Sequence, residues 1–216
     1  MTNNRKELII TSPSRLHLGF YGFDDAYGYK YGSMGLAINA HKTVIGIKKS
    51  NKFKSNLSKK YTLPILKYLK LKKIKDDFEI ITVKKSLSHV GLGSGSQLSL
   101  SLGMAINKFL NLNLSVNNIA RLYNRGERSG TGISIFKKGG FVVDACKKNK
   151  LLPEAMFVSK FPNNWKILLL NDLNLKGTSG DRENKFFSNT NSINHKKSEL
   201  SHILLRGILP SLIYKD

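Results

Sequence analysis

Three glycines at alternate positions precede an apolar helical pattern near the middle of the chain. Gly91, Gly93 and Gly95 lie between His89 and Gln97. Glycine lets the backbone bend until several N–H groups point into one concavity, and a following helix adds partial positive charge at its N-terminus. The stretch predicts a phosphate-binding loop, although a tight turn with glycines for packing alone is the alternative. The predicted ligand-binding residues are Gly91, Leu92, Gly93, Ser94, Gly95, Ser96 and Gln97.

A second segment supplies two arginines. Arg125 and Arg128 precede Ser129 in the run Arg-Gly-Glu-Arg-Ser-Gly-Thr-Gly of residues 125–132. The planar guanidinium fork holds phosphate or carboxylate oxygens in pairs, so these arginines are better candidates for anion contacts than any single lysine. A structural ion pair with Glu127 or Asp144 is the alternative. We predict catalytic roles for Arg125, Arg128 and Ser129.

Both segments resemble the GHMP superfamily of small-molecule kinases. The run Gly91-Leu92-Gly93-Ser94-Gly95 is similar to their phosphate loop, Gly-Leu-Gly-Ser-Ser. In these kinases the second segment tends to read Ser-Gly-Ile-Asp, and its aspartate is the catalytic carboxylate. Ser129 and Gly130 fit this pattern, but Gly132 stands where the aspartate would be. Because glycine cannot accept a proton, the usual kinase mechanism loses its base here.

One branch of the superfamily is more similar, the β-ribofuranosylaminobenzene 5′-phosphate synthases of methanopterin biosynthesis. The resemblance rests on the glycine loop, on residues 124–132 with the later Gly139-Gly140-Phe141, and on residues 14–20. It implies transfer of ribose 5-phosphate from 5-phosphoribosyl 1-diphosphate to 4-aminobenzoate or 4-hydroxybenzoate, with loss of CO2 and pyrophosphate. It also implies Mg2+ carried chiefly by the diphosphate. An ATP-dependent GHMP kinase and an inactive ligand-binding or assembly module stay open as alternatives.

The N-terminal segment adds weaker candidates. Alternation over residues 15–21 predicts a strand with Arg15 and His17 on one face, where they could contact substrate, and with Leu16, Leu18 and Phe20 facing the core. A structural histidine is an equal reading of His17. The following loop offers Lys30 as a further substrate contact and Asp24 and Asp25 as metal ligands. Family members often carry Asp-x-Asn-Gly and Gly-Arg in this loop, and this chain departs from that pattern.

Composition limits the class of protein. The 216 residues are 40% hydrophobic, with no run of eighteen apolar residues and no apolar leader, so we expect a cytoplasmic protein with no membrane partner. A single cysteine, Cys146, excludes an intrachain disulfide. The formal charge of +22 comes mostly from scattered lysines, so we expect only nonspecific nucleic-acid binding alongside small-molecule substrates. A homodimer stays open.

The elements form an α+β pattern. We predict strands at residues 7–11, 15–21, 43–48, 78–83, 141–144 and 165–170, and helices at 62–71, 96–110, 116–123, 131–137 and 197–209, the last ending at Pro210. A loop with a short helix is predicted at 179–188. Ser94 or Ser96 should cap the second helix and Ser115 the third.

The resemblance implies two domains. Residues 1–150 would form the GHMP N-terminal phosphate-binding domain, which is similar to domain 2 of ribosomal protein S5. Residues 151–216 would begin a ferredoxin-like C-terminal domain. By comparison with the family pattern, we expect the chain to be truncated within this second domain, and residues 151–216 to be poorly self-sufficient because an incomplete sheet leaves an edge uncovered.

Overall fold

The computed structural model describes residues 7–22, 27–87, 90–170 and 197–216. Strands and helices alternate irregularly along the chain, which gives a mixed α+β architecture. The strands are β1 (Leu8–Phe20), β2 (Ser33–Lys49), β3 (Lys54–Ser55), β4 (Phe78–Lys84), β5 (Phe141–Asp144) and β6 (Ala155–Ser159). The helices are α1 (Lys59–Leu71), α2 (Ser94–Leu110), α3 (Val116–Leu122), α4 (Thr131–Lys138), α5 (Lys197–Ile203) and α6 (Leu209–Tyr214), with a π-helical turn at Leu204–Ile208 between the last two.

The long strand β2 organises the sheet. Among the described residues the strand order is β3-β4-β2-β5-β6, and β1 also pairs with β2. Residues 34–36 of β2 pair with β5, whereas residues 44–49 pair with β4. β1 runs antiparallel beside both halves of β2. One strand therefore connects the part of the sheet under the helices with the part that carries β5.

Two apolar clusters hold these layers together. In the first, Ile45 and Phe78 of the sheet pack with Leu102 and Ile106 of α2 and with residues of α1 and α3. In the second, Met34, Leu36, Ile38, Phe141 and Val143 of the sheet pack with Leu204 and Leu212 of the C-terminal helical segment. Removing this apolar surface from water fixes α2 against the sheet, and with it the loop at the N-terminus of α2.

Periodicity located the helices well. α2, α3 and α4 lie where they are predicted, and the Ser115 cap is confirmed because its Oγ accepts the N–H of Asn118 at 3.1 Å. α1 begins at Lys59, three residues before the predicted start, and contains Pro64. The predicted serine cap of α2 is wrong, since its N-cap is Gly93 and no side chain caps it.

Several strand predictions need correction. The two predicted N-terminal strands are one strand, β1, with register shifts at residues 12–14 and 17–19. The second shift breaks the alternation, and Leu18, expected in the core, is 44% exposed. β2 begins ten residues before the predicted start because its first half, rich in small residues, lacks a strand signature. β6 was missed.

The C-terminal segment also differs. Residues 165–170 form no strand; Trp165 and Leu169 instead pack on the second apolar cluster without a hydrogen-bonded ladder. The last helix does not end at Pro210, because the chain passes through the π-helical turn and Pro210 stands at the start of α6, where its missing N–H costs no hydrogen bond. The prediction for residues 179–188 lies outside the described residues.

Strand β6 lies beyond the predicted domain boundary at residue 150. It pairs antiparallel with β5, so the sheet of the N-terminal region continues past that boundary. The division into two domains stays a prediction. Across the part of the chain that the structure describes, no helix is both long and apolar enough to cross a membrane.

Candidate functional site

The glycine loop lies between β4 and the start of α2 in the chain and packs against β1. Gly93 adopts a left-handed conformation with φ 62°, and its carbonyl accepts the N–H groups of Ser96 and Gln97 at 3.1 Å each. Strand β1 holds the other side of the loop, since the N–H of Arg15 donates to the Leu92 carbonyl at 3.0 Å. The first N–H groups of α2 have no acceptor within the helix, which leaves them free to bind an anion.

The Arg15 side chain lies between the loop and the start of α4. A Cβ atom built on Gly93 would stand 2.9 Å from Arg15 Nε, and one built on Gly35 would stand 3.3 Å from Arg15 Cδ and 3.1 Å from Thr131 Cβ. Both glycines therefore make space for this side chain. Sequence analysis ranked Arg15 as a weaker candidate, and the structure brings its side chain against the glycine loop.

The Arg125 side chain lies beside the same loop at Gly95, two residues after Gly93. Its Nη1 and Nη2 atoms would each lie 3.8 Å from a Cβ on Gly95. Nη2 donates to Ser99 Oγ at 3.1 Å, and Ser99 Oγ donates to the Gly95 carbonyl at 2.8 Å. Burial lowers the pKa of Arg125 from its usual value, an effect that nearby Tyr61 and Glu127 oppose. Arginine stays charged under these conditions, so one cation lies beside Gly93 and another beside Gly95.

Gly132 lies in the first turn of α4, opposite the first turn of α2. A Cβ on Gly132 would stand 3.4 Å from Ser96 Cβ, which is an ordinary contact, so the position has room for a methyl group. The Gln97 side chain is fully buried, and its Nε2 donates to the Gly132 carbonyl at 2.9 Å. Gln97 thus ties α2 to α4, and its contact with a ligand stays a prediction.

A buried carboxylate orders the turn before α4. Asp144 Oδ2 accepts the Ser33 hydroxyl at 2.6 Å and the Gly130 N–H at 2.7 Å, while Oδ1 accepts the Ser33 N–H at 2.8 Å. Burial raises the pKa of Asp144, and these hydrogen bonds oppose the rise. Sequence analysis offered Asp144 only as an ion-pair partner for an arginine. No local signal marks its role, because Ser33 is 111 residues away.

Ser129 belongs to this network. Its Oγ lies 2.7 Å from Ser33 Oγ and 2.7 Å from Thr131 Oγ1, and it accepts the Thr131 N–H at 3.3 Å. A hydroxyl has one donor and two acceptor positions, and these three partners fill them. Ser129 therefore holds the turn in place, and a catalytic role for its hydroxyl stays a prediction. Arg128, immediately before it, is half-buried, and its contact with a ligand also stays a prediction.

His17 follows Arg15 on β1 and is held close to the loop. Its backbone N–H donates to the Gly91 carbonyl at 3.3 Å. Its ring meets the Phe20 ring edge-on, with 4.7 Å between the ring centroids. Both ring nitrogens are buried with no hydrogen-bond partner among the described residues. Burial, aided by the charge of Arg15, lowers the pKa of His17 to about 4. The imidazole is therefore neutral near pH 7.

The remaining predicted residues lie apart from this cluster or outside the described residues. Lys30 is exposed, and its backbone pairs with Lys147 beside a cavity of about 250 Å3 that includes no residue of the loop. Asp24 and Asp25, the predicted metal ligands, lie outside the described residues. Within the described ranges, no three His, Cys, Asp or Glu side chains cluster closely enough to hold a metal ion. The Sγ of Cys146 donates to Tyr21 Oη at 3.3 Å.

The assembled geometry suits a highly charged anion. It combines backbone N–H groups at the start of α2 with guanidinium groups from β1 and from the turn after α3. The position opposite the loop, Gly132, offers no acid or base. Such a site can stabilise a diphosphate that departs with a negative charge, and it needs no proton acceptor to do so.

The chain is similar to known proteins by two comparisons, one with a family model and one with individual named proteins. The family described as GHMP kinases N terminal domain matches residues 56–140. The chain is 30% identical over 236 residues to beta-ribofuranosylphenol 5'-phosphate synthase of Methanothermobacter thermautotrophicus, covering 97% of this chain and 72% of that protein. It is also 30% identical over 225 residues to the synthase of the same name from Archaeoglobus fulgidus, covering 97% and 71%.

Solved structures agree on the fold. Mevalonate pyrophosphate decarboxylase from Streptococcus pyogenes superposes with a TM-score of 0.62 at 14% identity, over 100% of this chain and 71% of that one. At this identity the likeness carries the architecture alone. It confirms the predicted α+β fold of the GHMP type.

Proposed function

The chain belongs to the family of the beta-ribofuranosylphenol 5'-phosphate synthases, a branch with the GHMP N-terminal domain, and we propose that it transfers ribose 5-phosphate from 5-phosphoribosyl 1-diphosphate. The acceptor is 4-hydroxybenzoate or 4-aminobenzoate, in the biosynthesis of methanopterin. The observation that carries this proposal is that two guanidinium groups lie beside Gly93 and Gly95 of the glycine loop while position 132 is a glycine.

The bond changes balance without a protein base. The bond between the anomeric carbon and the diphosphate breaks, and its electron pair leaves with pyrophosphate. The ring carbon that bears the carboxylate attacks the anomeric carbon and forms the new carbon–carbon bond. Electrons of the ring–carboxylate bond then return to the ring as CO2 leaves. Because the leaving group is already an anion, a carboxylate at position 132 would serve no purpose.

Each residue of the site has its own role in this reaction. The loop N–H groups and the two guanidinium groups of Arg15 and Arg125 stabilise charge that develops on the diphosphate, which lowers the barrier to its departure. The neutral His17, in the apolar surroundings of Phe20, lies at the base of the loop. Asp144 keeps the turn before α4 in register with β2.

Magnesium would enter with the diphosphate. Mg2+ prefers phosphate and carboxylate oxygens, and it commonly binds through one or two carboxylates plus substrate phosphates. The oxygens of Asp144 already accept hydrogen bonds within the fold, and Asp24 and Asp25 lie outside the described residues. We therefore assign Mg2+ to the substrate and derive no step from a protein-bound metal.

An assay of the products tests the proposal. The full chain is incubated with phosphoribosyl diphosphate and each benzoate, and released pyrophosphate and CO2 are measured. Release of both products in equal amounts, dependent on both substrates, is the expected result. ATP with the same acceptors is the control for a kinase. ATP turnover without pyrophosphate release from phosphoribosyl diphosphate would replace the transferase with a kinase.

A further inference from the structure

A cleft of about 740 Å3, here called the β2 cleft, lies between residues 37–42 of β2 and residues 160–169 after β6. Among the described residues, its lining includes none of residues 91–97 and neither Arg15 nor Arg125, so it is separate from the candidate site. We propose that the β2 cleft is a second ligand site, which binds a nucleotide by stacking the base on aromatic side chains and holding the phosphate with lysines.

A change of register between β1 and β2 builds the first wall of the cleft. The two strands pair at Ser12 and pair again at Ser14, but residues 39–42 of β2 stand opposite Pro13 alone. Proline has no N–H to offer a ladder, so this position suits an interruption of the pairing. Ser14 Oγ donates to the His41 carbonyl at 2.7 Å, which fixes the bulged residues.

A close approach of backbone at the start of β5 places the second wall. The Ala37 N–H donates to the Gly140 carbonyl at 2.9 Å. Gly140 has φ 72°, and a Cβ there would clash with the Ser159 carbonyl oxygen at the end of β6. Glycine thus lets the turn before β5 lie against the end of β6, and residues 160–169 continue from that point to face the bulge.

Two aromatic residues of the second wall offer a surface for stacking. The rings of Phe161 and Trp165 meet edge-on, with 5.4 Å between centroids and 85° between their planes. Both side chains also pack against the second apolar cluster, which holds them in place. Trp165 is only half-buried, so part of its surface is accessible from the cleft. Every base has a flat face that can stack on such a ring.

The charge of the lining selects for an anion. Lys42, Lys160 and Lys166 line the cleft, and within the described part of the chain no aspartate or glutamate lines it. Lys42 is half-buried, whereas the other two lysines are exposed. Like charges that line one cleft raise the local concentration of an anionic ligand, and an ammonium group is a common phosphate ligand.

The lining as a whole fits a nucleotide better than either of its parts. Inorganic phosphate would use the lysines and leave the aromatic surface in water, and an uncharged ring would do the reverse. The amides of Asn39 and Asn163 add donors and acceptors of the kind that pair with base edges. The cleft volume lies within the range of roughly 300–1,000 Å3 that is usual for small-molecule sites.

Fluorescence of Trp165 provides a direct measurement, because it is the only tryptophan of the chain. The full chain is titrated with adenosine 5′-monophosphate. We expect a saturable change in fluorescence. Adenosine lacks the phosphate and ribose 5-phosphate lacks the base, so each should bind at least about tenfold more weakly than the nucleotide does.

Two double variants with the same net charge locate the binding. Lys160→Gln with Lys166→Gln removes two lysines of the cleft, and Lys67→Gln with Lys75→Gln removes two exposed lysines of α1 and the turn after it. All four positions are exposed, so each variant should fold. We expect the cleft variant to bind the nucleotide at least about tenfold more weakly, and the control to remain within about twofold of the unmodified chain.

Three results would overturn the second site: no saturable change in fluorescence, equal affinities in the two double variants, or ribose 5-phosphate binding as tight as that of the nucleotide. Turnover of phosphoribosyl diphosphate should be unchanged in the cleft variant, and a fall in turnover would show that the cleft is part of the transferase site. A chain that binds the nucleotide as expected but turns over no phosphoribosyl diphosphate would overturn the proposed function and support the second site.

Discussion

The side chain of Arg15 packs against Gly93, at a distance that excludes any β-carbon from position 93. A Cβ there would lie 2.9 Å from Arg15 Nε and 3.1 Å from Arg15 Cβ. Gly93 also has a positive φ of 62°, a conformation that costs other residues about 1 kcal/mol or more. The glycine therefore fixes both the bend of the loop and the place of the cation beside it.

Gly93→Ala should abolish measurable pyrophosphate binding, because the methyl group displaces Arg15 as well as straining the backbone. Gly91→Ala is the matched variant, since Gly91 has φ 76° and open space at its Cβ. Gly91→Ala introduces the backbone strain alone, which costs about 1–2 kcal/mol, so this variant should still bind pyrophosphate, but more weakly. Titration of both variants measures the difference. Equal affinities would show that contact with Arg15 contributes nothing.

Replacing Arg15 by lysine keeps the charge and removes the planar fork. We expect turnover of phosphoribosyl diphosphate to fall by at least about tenfold, because a lysine cannot donate to two oxygens in the same plane. Exposed Arg206 supplies the control substitution, Arg206→Lys, which should leave kinetics unchanged. Steady-state kinetics with both substrates provide the measurement. A normal rate for Arg15→Lys would place Arg15 among the packing residues.

Asp144→Asn should destabilise the fold although it preserves shape. The new amide nitrogen would face the N–H groups of Ser33 or Gly130, which are donors, so at least one buried hydrogen bond is lost. The expected decrease in the free energy of unfolding is about 1–3 kcal/mol, measured by urea denaturation. Ser129→Ala removes an outer link of the same network and should cost less. If Asp144→Asn matches the parent stability, the carboxylate does not order the turn.

The lowered pKa of His17 predicts a pH-dependent stability. The unfolded chain binds a proton near the usual pKa of 6.5, whereas the folded chain resists it until about pH 4. The contribution of His17 is therefore fully present above pH 6.5 and is lost as the pH falls toward 4, by no more than about 3 kcal/mol. His17→Gln should flatten that slope between pH 7 and pH 4.5 in urea denaturation, whereas exposed His202→Gln should not. A slope that persists in His17→Gln would assign it to other groups.

Gly132→Asp distinguishes the transferase from a kinase. A Cβ at this position would make an ordinary contact, 3.4 Å from Ser96 Cβ, so we expect the variant to fold. A carboxylate beside the diphosphate should weaken its binding by at least about fivefold, or roughly 1 kcal/mol, through charge repulsion. Gly132→Ala is the neutral control and should bind more tightly than Gly132→Asp. Magnesium-dependent phosphoryl transfer from ATP in Gly132→Asp would instead identify a degenerate kinase.

Local sequence signals located the elements but not the contacts between them. Apolar periodicity marks α2, and a polar cap marks the start of α3, because both depend on residues within a few positions. The first half of β2 was not predicted, because small residues such as Gly35 do not indicate a strand. Gly35 is small because the side chains of Arg15 and Thr131 pack against it. Neither side chain is near Gly35 in sequence.

In the candidate site too, local sequence signals were informative and contacts between distant residues were not predicted. The glycine loop and Arg125 could be identified from residue type and spacing, and Arg15 from strand alternation. The Asp144 network could not, because it joins Ser33, the turn at Gly130 and the end of β5. No sequence signal marks the π-helical turn before Pro210. Because proline usually ends a helix, the helix was predicted to end there.

The pairing of Asp144 with Ser33 has a consequence for the order of folding. These residues are 111 positions apart, so their contact closes a long loop of chain and carries a large entropic cost. During synthesis, helix α2 and its glycine loop leave the ribosome before β5 does. The turn that carries Arg128 then lacks the hydrogen bond from the Gly130 N–H to the Asp144 carboxylate until β5 emerges. We therefore expect the anion site to mature late, after the apolar cluster under α2 has formed, and a nascent chain stopped before β5 to hold the loop without its ordered arginine turn.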